Sequence, residues 1–470
     1  MNKTIIEKKA CLDFLDNPIP VNYEEIPELT GEDYEERLQK LFSMPEAEAY
    51  DAFVIYGDRE HFSNIHYFTG YDPRWEESLL IMKRSGERTL LVGNEGISYV
   101  KKVEIEVNIA LYQTFSLMGQ PNESSATLRE IFESCGFDRD GKIGIIGFKK
   151  YDRRKHDIDG LISDVPYYII ETLVQAVGKN RLENATDLMA DCEYGLKHCI
   201  SAKEAVIFEE AGTKISRGIY DCIRKLKPGM TELEAASCCG FDGSPANMHP
   251  NVNFGETHVA LGLNSPDGYQ KLNYGDPIGL GYGLRGSLVH KCGMYIRDAN
   301  DLKAGREHYV EQFLKSYFNN VASWYEMLKI GTSCGDIYAM TDTELGLKKY
   351  GCTLNPGHLT HTEEWTNSPF YKDSRVKLKS GMALQCDYTV TWQKPFMSAH
   401  IEDGLIIADD NLMEEVRRIS AGCYERIIRR KQFIREVLNI NLPREVLPLS
   451  DLTLVCFPYM ADTQTVLARK

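Results

Sequence analysis

The sequence predicts a chain of two domains, an α/β domain first and an α+β domain second. Three observations carry that reading. The 470 residues exceed what one ordinary core organises. Before about residue 180, short apolar runs alternate with segments of helical periodicity. Beyond it, capped helices are separated by strand-like segments that come in hairpin pairs.

Taken in order, residues 1–30 are polar and turn-rich and read as an irregular arm. A helix over 31–44 follows, with Thr30 as its N-cap. AFVIYG at 52–57 reads as a buried strand, and SLLIM and RTLLVG at 78–82 and 88–93 as a hairpin around Ser85-Gly86. KIGIIG at 142–147 is a further strand, and helices fit 124–134 and 157–164. The first domain therefore spans 31–180. Residues 181–200 read as a connecting helix. Ser201 and Glu204 form a capping box that opens a helix to about Leu226. Pro228-Gly229 ends it and Thr231 caps the next. A long helix is expected over 304–329. THVALGL, DPIGLGY, LVHKCGMYI, MALQCDYTV and GLIIA are strand candidates, which closes the second domain at 181–410. Residues 411–470 form an extension: one amphipathic helix over 411–436 and a terminal strand, LTLVCF, at 452–457.

Composition narrows the function. A formal net charge of −15 repels nucleic acid and anionic membrane. Arg429-Arg430-Lys431 reads as a solvated helix face rather than a nucleic-acid patch. The 13 cysteines are odd in number and form no CxxC, which argues against a disulfide framework and for a reducing compartment. The opening twenty residues lack the apolar stretch of a signal peptide, and no run of 18 apolar residues occurs. The expectation is a cytoplasmic protein with no membrane and no nucleic-acid partner.

Single motifs are weak. Gly281-Tyr-Gly283-Leu-Arg-Gly286 matches a dinucleotide fingerprint, but the segment after it alternates like a strand, so a hairpin is the better reading. His358 and His361 form an HxxH, and Glu402-Asp403 precedes a buried strand; alone, each fits a structural role. No GxSxG elbow is present. More informative is a set of four. Cys292, His358, Asp387 and Glu402 are all metal-ligand types, and each lies in a strand or strand end. His290 sits two residues from Cys292 on the same strand face.

Together the segments resemble the pita-bread-fold family of Xaa-Pro aminopeptidases, prolidases and creatinase. The resemblance runs from Phe62-Ser-Asn64-Ile-His-Tyr67-Phe-Thr69-Gly70-Tyr71 through Lys203-Glu204-Ala205 and Lys227-Pro228-Gly229-Met230-Thr231-Glu232. It continues at Gly275-Asp276, Gly357-His358, Lys379-Ser-Gly381-Met382 and Ile401-Glu402-Asp403, covering residues 45–410. It implies a creatinase-like α/β N-terminal domain, a pita-bread α+β C-terminal domain and a homodimer.

The family's metallopeptidases hold two divalent ions with two Asp, one His and two Glu. By the resemblance, the first Asp position is Gly281 and the second is Cys292. His358 matches the His, Asp387 falls on the first Glu position, and Glu402 matches the last. The outer histidines are replaced near Gly268 and at Trp365. The implied site holds at most one ion, and a Cys–His–Asp–Glu set favours zinc. The alternative is no metal, with Cys292 a buried thiol. His361 and His290 are the candidate proton carriers. Two functions follow as expectations: a hydrolase of C–N bonds on a small peptide or amidino substrate, or a catalytically silent protein that binds a small ligand.

Overall fold

A computed structural model describes residues 4–10, 13–138, 140–345, 352, 354–387, 389–393 and 397–470. The chain divides into two compact units, Glu28–Lys197 and a second formed by Met1–Pro27 with His198–Lys470. The first strand, β1 (Ile5–Lys9), belongs to the second unit.

The unit 28–197 is built on one sheet. Its strands are β2 (Tyr50–Gly57), β3 (Ser78–Lys83), β4 (Arg88–Val92), β5 (Asn108–Leu111), β6 (Lys142–Ile146) and β7 (Leu182–Asn184), in the order β5-β4-β3-β2-β6-β7. The 2–3 and 3–4 pairs are antiparallel and the rest parallel. Side chains alternate across a strand, so β2 sends Phe53 and Ile55 to one core and Val54 and Tyr56 to another. Helices α1 (Gly31–Ser43) and α2 (Ser63–Thr69) cover the first face with Leu38, Leu41, Ile65 and Phe68. Helices α3 (Leu128–Cys135) and α4 (Tyr167–Val177) cover the second with Ile131, Phe132, Ile169 and Leu173. Double coverage explains why these strands read as continuous apolar runs.

The second unit begins with α5 (Ala202–Lys225), opened by the Ser201–Glu204 capping box, and α6 (Glu232–Ser237). Strand β8 (Met248–Phe254) leads into α7 (Gly255–Leu261). The hairpin of β9 (Pro277–Leu284) and β10 (Ser287–Met294) follows. Its turn contains Gly286 at φ 95°, where a Cβ would collide with the Phe208 ring of α5. The GxGxxG is thus a hairpin and not a nucleotide loop. Helices α8 (Lys315–Glu326) and α9 (Cys334–Leu345) precede β11 (His358–Leu359), β12 (Ala383–Gln385), β13 (Val390–Gln393) and the long β14 (Met397–Ile407). After α10 (Asp410–Ile419) and α11 (Ala421–Glu436) come β15 (Val446–Pro448) and β16 (Thr465–Arg469). The main sheet runs β11-β12-β14-β10-β9-β8, with β13 and β15 also paired to β14. Strand β14 is therefore the hub, and β16 pairs separately with β1.

Several expected elements differ. The arm at 1–30 contributes β1 to a sheet. Residues 157–164 are not helical, and Gly160 turns the chain at φ 104°. Residues 181–200 do not form one helix. The side chains of Asn184 and Asp191 accept from nearby backbone N–H groups and favour turns instead. THVALGL supplies α7 rather than a strand. The helix expected over 304–329 starts as a π-helical segment, Tyr309–Leu314, before α8. LTLVCF is a buried turn, since Leu454 sits at φ 61°, which no strand accommodates. Residue 388 of MALQCDYTV lies outside the described residues.

The basic run is also not a solvated face. Arg430 is 2% exposed and bridges Glu209 of α5 to Asp451, with Arg430 Nη1–Glu209 Oε1 at 2.6 Å and Arg430 Nε–Asp451 Oδ1 at 2.7 Å. Arg426 donates to the same Glu209 at 2.9 Å. Two arginines per buried carboxylate satisfy the charges that burial would otherwise penalise, and they fasten α11 to α5.

Candidate active site

The site is laid out by strand register. On β10, His290 and Cys292 point to one face because side chains repeat every second residue. Across β14, His290 lies opposite Glu402 and Cys292 opposite His400. Across β9, the same two residues lie opposite Gly281 and Gly279. Two glycines on one side and two acid-base residues on the other leave room above the central strand. The result is a cavity of about 170 Å³, lined by His290, Cys292, Asp387, His400, Glu402 and Glu364.

The opposite face of the same strands is locked. Lys291 donates to Asp403 at 2.6 Å and to the carbonyl of Leu452 at 3.0 Å, all buried. The buried pair fixes β10 against β14 directly beneath the cavity.

His400 is the centre of the polar contacts. Its Nδ1 faces Nδ1 of His290 at 2.5 Å. Its Nε2 lies 3.1 Å from Asp387 Oδ1 and 3.5 Å from Glu402 Oε2. The Thr389 hydroxyl is 3.0 Å from the same nitrogen. These groups are buried: Cys292 and Asp387 are 7% exposed, Glu402 4% and His400 3%.

Burial and like charge set the protonation. Burial pushes the Glu402 carboxyl well above its ordinary range, and Asp387 and Glu364 add to the shift. Burial also acts on Asp387, but the hydrogen bond with His400 and the electrostatic pull of the surrounding imidazoles outweigh it and hold that carboxyl low. Burial, then the neighbouring His400, pushes His290 well down. The cavity therefore sets a carboxyl pushed above its ordinary range, Glu402, beside one held below it, Asp387, the divergence that marks acid and base partners.

The four residues singled out from the sequence are spread over three overlapping groups. Cys292 joins His290 and His400, whose ligand atoms lie within 4.8 Å of one another. His358 joins Glu364 and Glu402 by the same measure. Asp387 and Glu402 also meet at His400. Among the described residues, no such group holds both Cys292 and His358. His358 is fully buried, stacked on Trp365 at 4.1 Å between ring centres, with Nε2 3.0 Å from Glu364 and 3.8 Å from Asp387. Burial disfavours its charge, but Glu364 outweighs that and raises its pKa.

His361 leaves the site altogether. It faces Glu204 of the α5 cap at 3.1 Å and packs edge-on against Phe208. His290, the other expected proton carrier, lies in the cavity. Sequence reasoning missed His400 and Glu364. The signal for His400 was its place two residues before Glu402, hence on the same strand face. Glu364 follows the HxxH by three residues but carries no distinguishing spacing.

No protein-family profile and no curated protein matches the chain by sequence. Solved structures match it by fold. A prolidase from Pyrococcus horikoshii is 17% identical, covers 79% of this chain and 95% of its own, and has a TM-score of 0.59. A prolidase from Thermococcus sibiricus is 16% identical over 80% of this chain and 95% of its own, with a TM-score of 0.63. An X-Pro aminopeptidase from Thermotoga maritima is 15% identical over 80% and 94%, with a TM-score of 0.59. The chain has the fold of these peptidases: a creatinase-like α/β domain and a pita-bread α+β domain.

The two-ion cluster implied by the resemblance does not fit these residues. A Cβ at Gly281 would lie 2.6 Å from Cδ2 of His290 and 3.1 Å from the Met248 methyl. The imidazole fills the space that a carboxylate at position 281 would need.

Proposed function

We propose that the chain is a hydrolase of C–N bonds acting on a small peptide or amidino substrate, with a degenerate metal site that holds one ion, zinc. The observation that carries this reading is the meeting of Asp387 and Glu402 at His400 Nε2, at 3.1 and 3.5 Å, in a cavity that also holds His290 and Cys292. Its fold neighbours are peptidases of Xaa-Pro substrates. A bound zinc would supply a water of lowered pKa. Glu402, whose carboxyl burial pushes up, is placed to give a proton to a leaving amine. Asp387, 3.1 Å from His400 Nε2, keeps that ring oriented. Asn251, 4% exposed, lines the same cavity, and its buried Oδ1 has no hydrogen-bond partner among the described residues. The reading takes the working unit as a cytoplasmic homodimer. Among the described residues, no helix is long and apolar enough to cross a membrane.

The test is turnover of a dipeptide and amidine panel. Activity should be abolished by a chelator, restored by zinc and lost in Glu402→Gln. Activity indifferent to both treatments would exclude the mechanism.

The position of His290 in the space opposite Gly281 favours a second reading, a silent protein that binds a small ligand. It predicts ligand-dependent thermal stabilisation without product. Turnover lost in Glu402→Gln would end it.

A further inference from the structure

We propose that the ion is held by His290, Cys292 and His400, a thiolate and two imidazoles on neighbouring strands, with Asp387 orienting His400, and not by the four positions the resemblance implies. This rests on the reading of a one-ion cavity but not on turnover. Four observations support it. First, the three donors lie within mutual reach on one sheet face, fixed by the β9–β10–β14 register rather than by loops. Second, His290 and His400 aim ring nitrogens at each other, 2.5 Å apart. One N–H shared between the rings accounts for this contact, and the rings must part for both nitrogens to bind one tetrahedral ion at about 2.0–2.1 Å; what the contact shows is that both nitrogens turn to the same edge. Third, the far nitrogen of His400 meets Asp387 at 3.1 Å. A ligating histidine commonly donates its other N–H to a carboxylate, which fixes the tautomer and the ring. Fourth, Asn251 lines the same cavity, and its buried Oδ1 has no hydrogen-bond partner among the described residues.

The competing group is poorer. His358 is stacked on Trp365, and its buried Nε2 lies 3.0 Å from Glu364 without a hydrogen-bond partner among the described residues, so the two groups are separated by their donor chemistry. One sulfur and two nitrogens select zinc over magnesium or manganese, whereas one nitrogen and two carboxylates do not. Three protein ligands leave the fourth position open, as in zinc sites that act on a bound water.

The test uses the full chain loaded with one equivalent of zinc and read by X-ray absorption at the zinc edge. The proposal predicts one sulfur at about 2.3 Å and nitrogens at about 2.0–2.1 Å. A shell of nitrogen and oxygen alone, or no bound zinc, overturns it. Cobalt provides the variant arm. Cobalt-loaded protein should show a near-ultraviolet thiolate-to-metal band that is absent in Cys292→Ser and retained in His358→Ala. The reverse pattern, with the ion lost in His358→Ala and kept unchanged in Cys292→Ser, overturns the assignment. A sulfur-bound ion without turnover would remove the hydrolase reading and leave this site standing. Turnover with a sulfur-free ion would do the opposite.

Discussion

His361 serves the N-terminus of α5 rather than the cavity. Its contact with Glu204 at 3.1 Å and its packing on Phe208 place it in the scaffold. His361→Ala should therefore lower stability by about 1–3 kcal/mol, the range for a buried polar partner lost. The bound ion should be unaffected, which urea unfolding and metal analysis check together. An intact melting curve with a lost ion would contradict this placement. His361 and His400 also show what the sequence made visible. The HxxH spacing drew attention to His361, yet strand β11 ends at Leu359, so His358 and His361 do not share a helical face. His400 became visible only through the register that sets it against Cys292. The residue types of the site could be read from the sequence; their partnership depended on pairing between distant strands, which no local spacing encodes.

Strands β9, β10 and β14 carry the site as a unit, and Gly281 tests that unit. Restoring the acid that the resemblance places there, Gly281→Asp, puts a side chain against the His290 ring at 2.6 Å. The variant should melt lower than the parent and still bind one ion. Recovery of a second ion at unchanged stability would contradict the steric account. Most strands of the first unit could be read directly, because burial on both faces makes each a compact apolar run. Where elements were misread, side chains at a distance decided. Leu454 is held in its turn by a backbone N–H that donates to Asp403 at 3.3 Å. The single helix expected over 411–436 breaks at Ser420, which caps α11 and donates to Glu25 at 2.7 Å. Glu25 lies almost four hundred residues earlier, so that break has no local signature.

At the scale of the whole molecule, stability should depend on the buried ion network of the second unit. Glu209 and Asp451 are fully enclosed; burial raises their pKa values, but Arg430 and its neighbours outweigh it and hold both below their ordinary 4.5 and 3.8. A carboxylate with a depressed folded-state pKa stabilises above its unfolded value and loses that contribution as pH falls toward the folded one. Stability to urea should therefore fall steeply with acid below the ordinary carboxylate range. Asp451→Asn should flatten that slope, because one titrating group is gone; a steeper slope in the variant would contradict the account. Arg430→Leu should destabilise the chain, by roughly 3–5 kcal/mol at most, since it removes one of two arginines from each buried carboxylate and leaves Arg426 on Glu209 and Arg217 on Asp451. The network also explains why residues 411–470 are part of the second unit rather than an appendage.

The measurement that bears most directly on the central claim is the metal content of the purified chain at saturating zinc. One ion per chain, reduced to none in Cys292→Ser, is the predicted result. Two ions per chain, or one that survives loss of the thiol undiminished, would contradict a single-ion cavity built around β10.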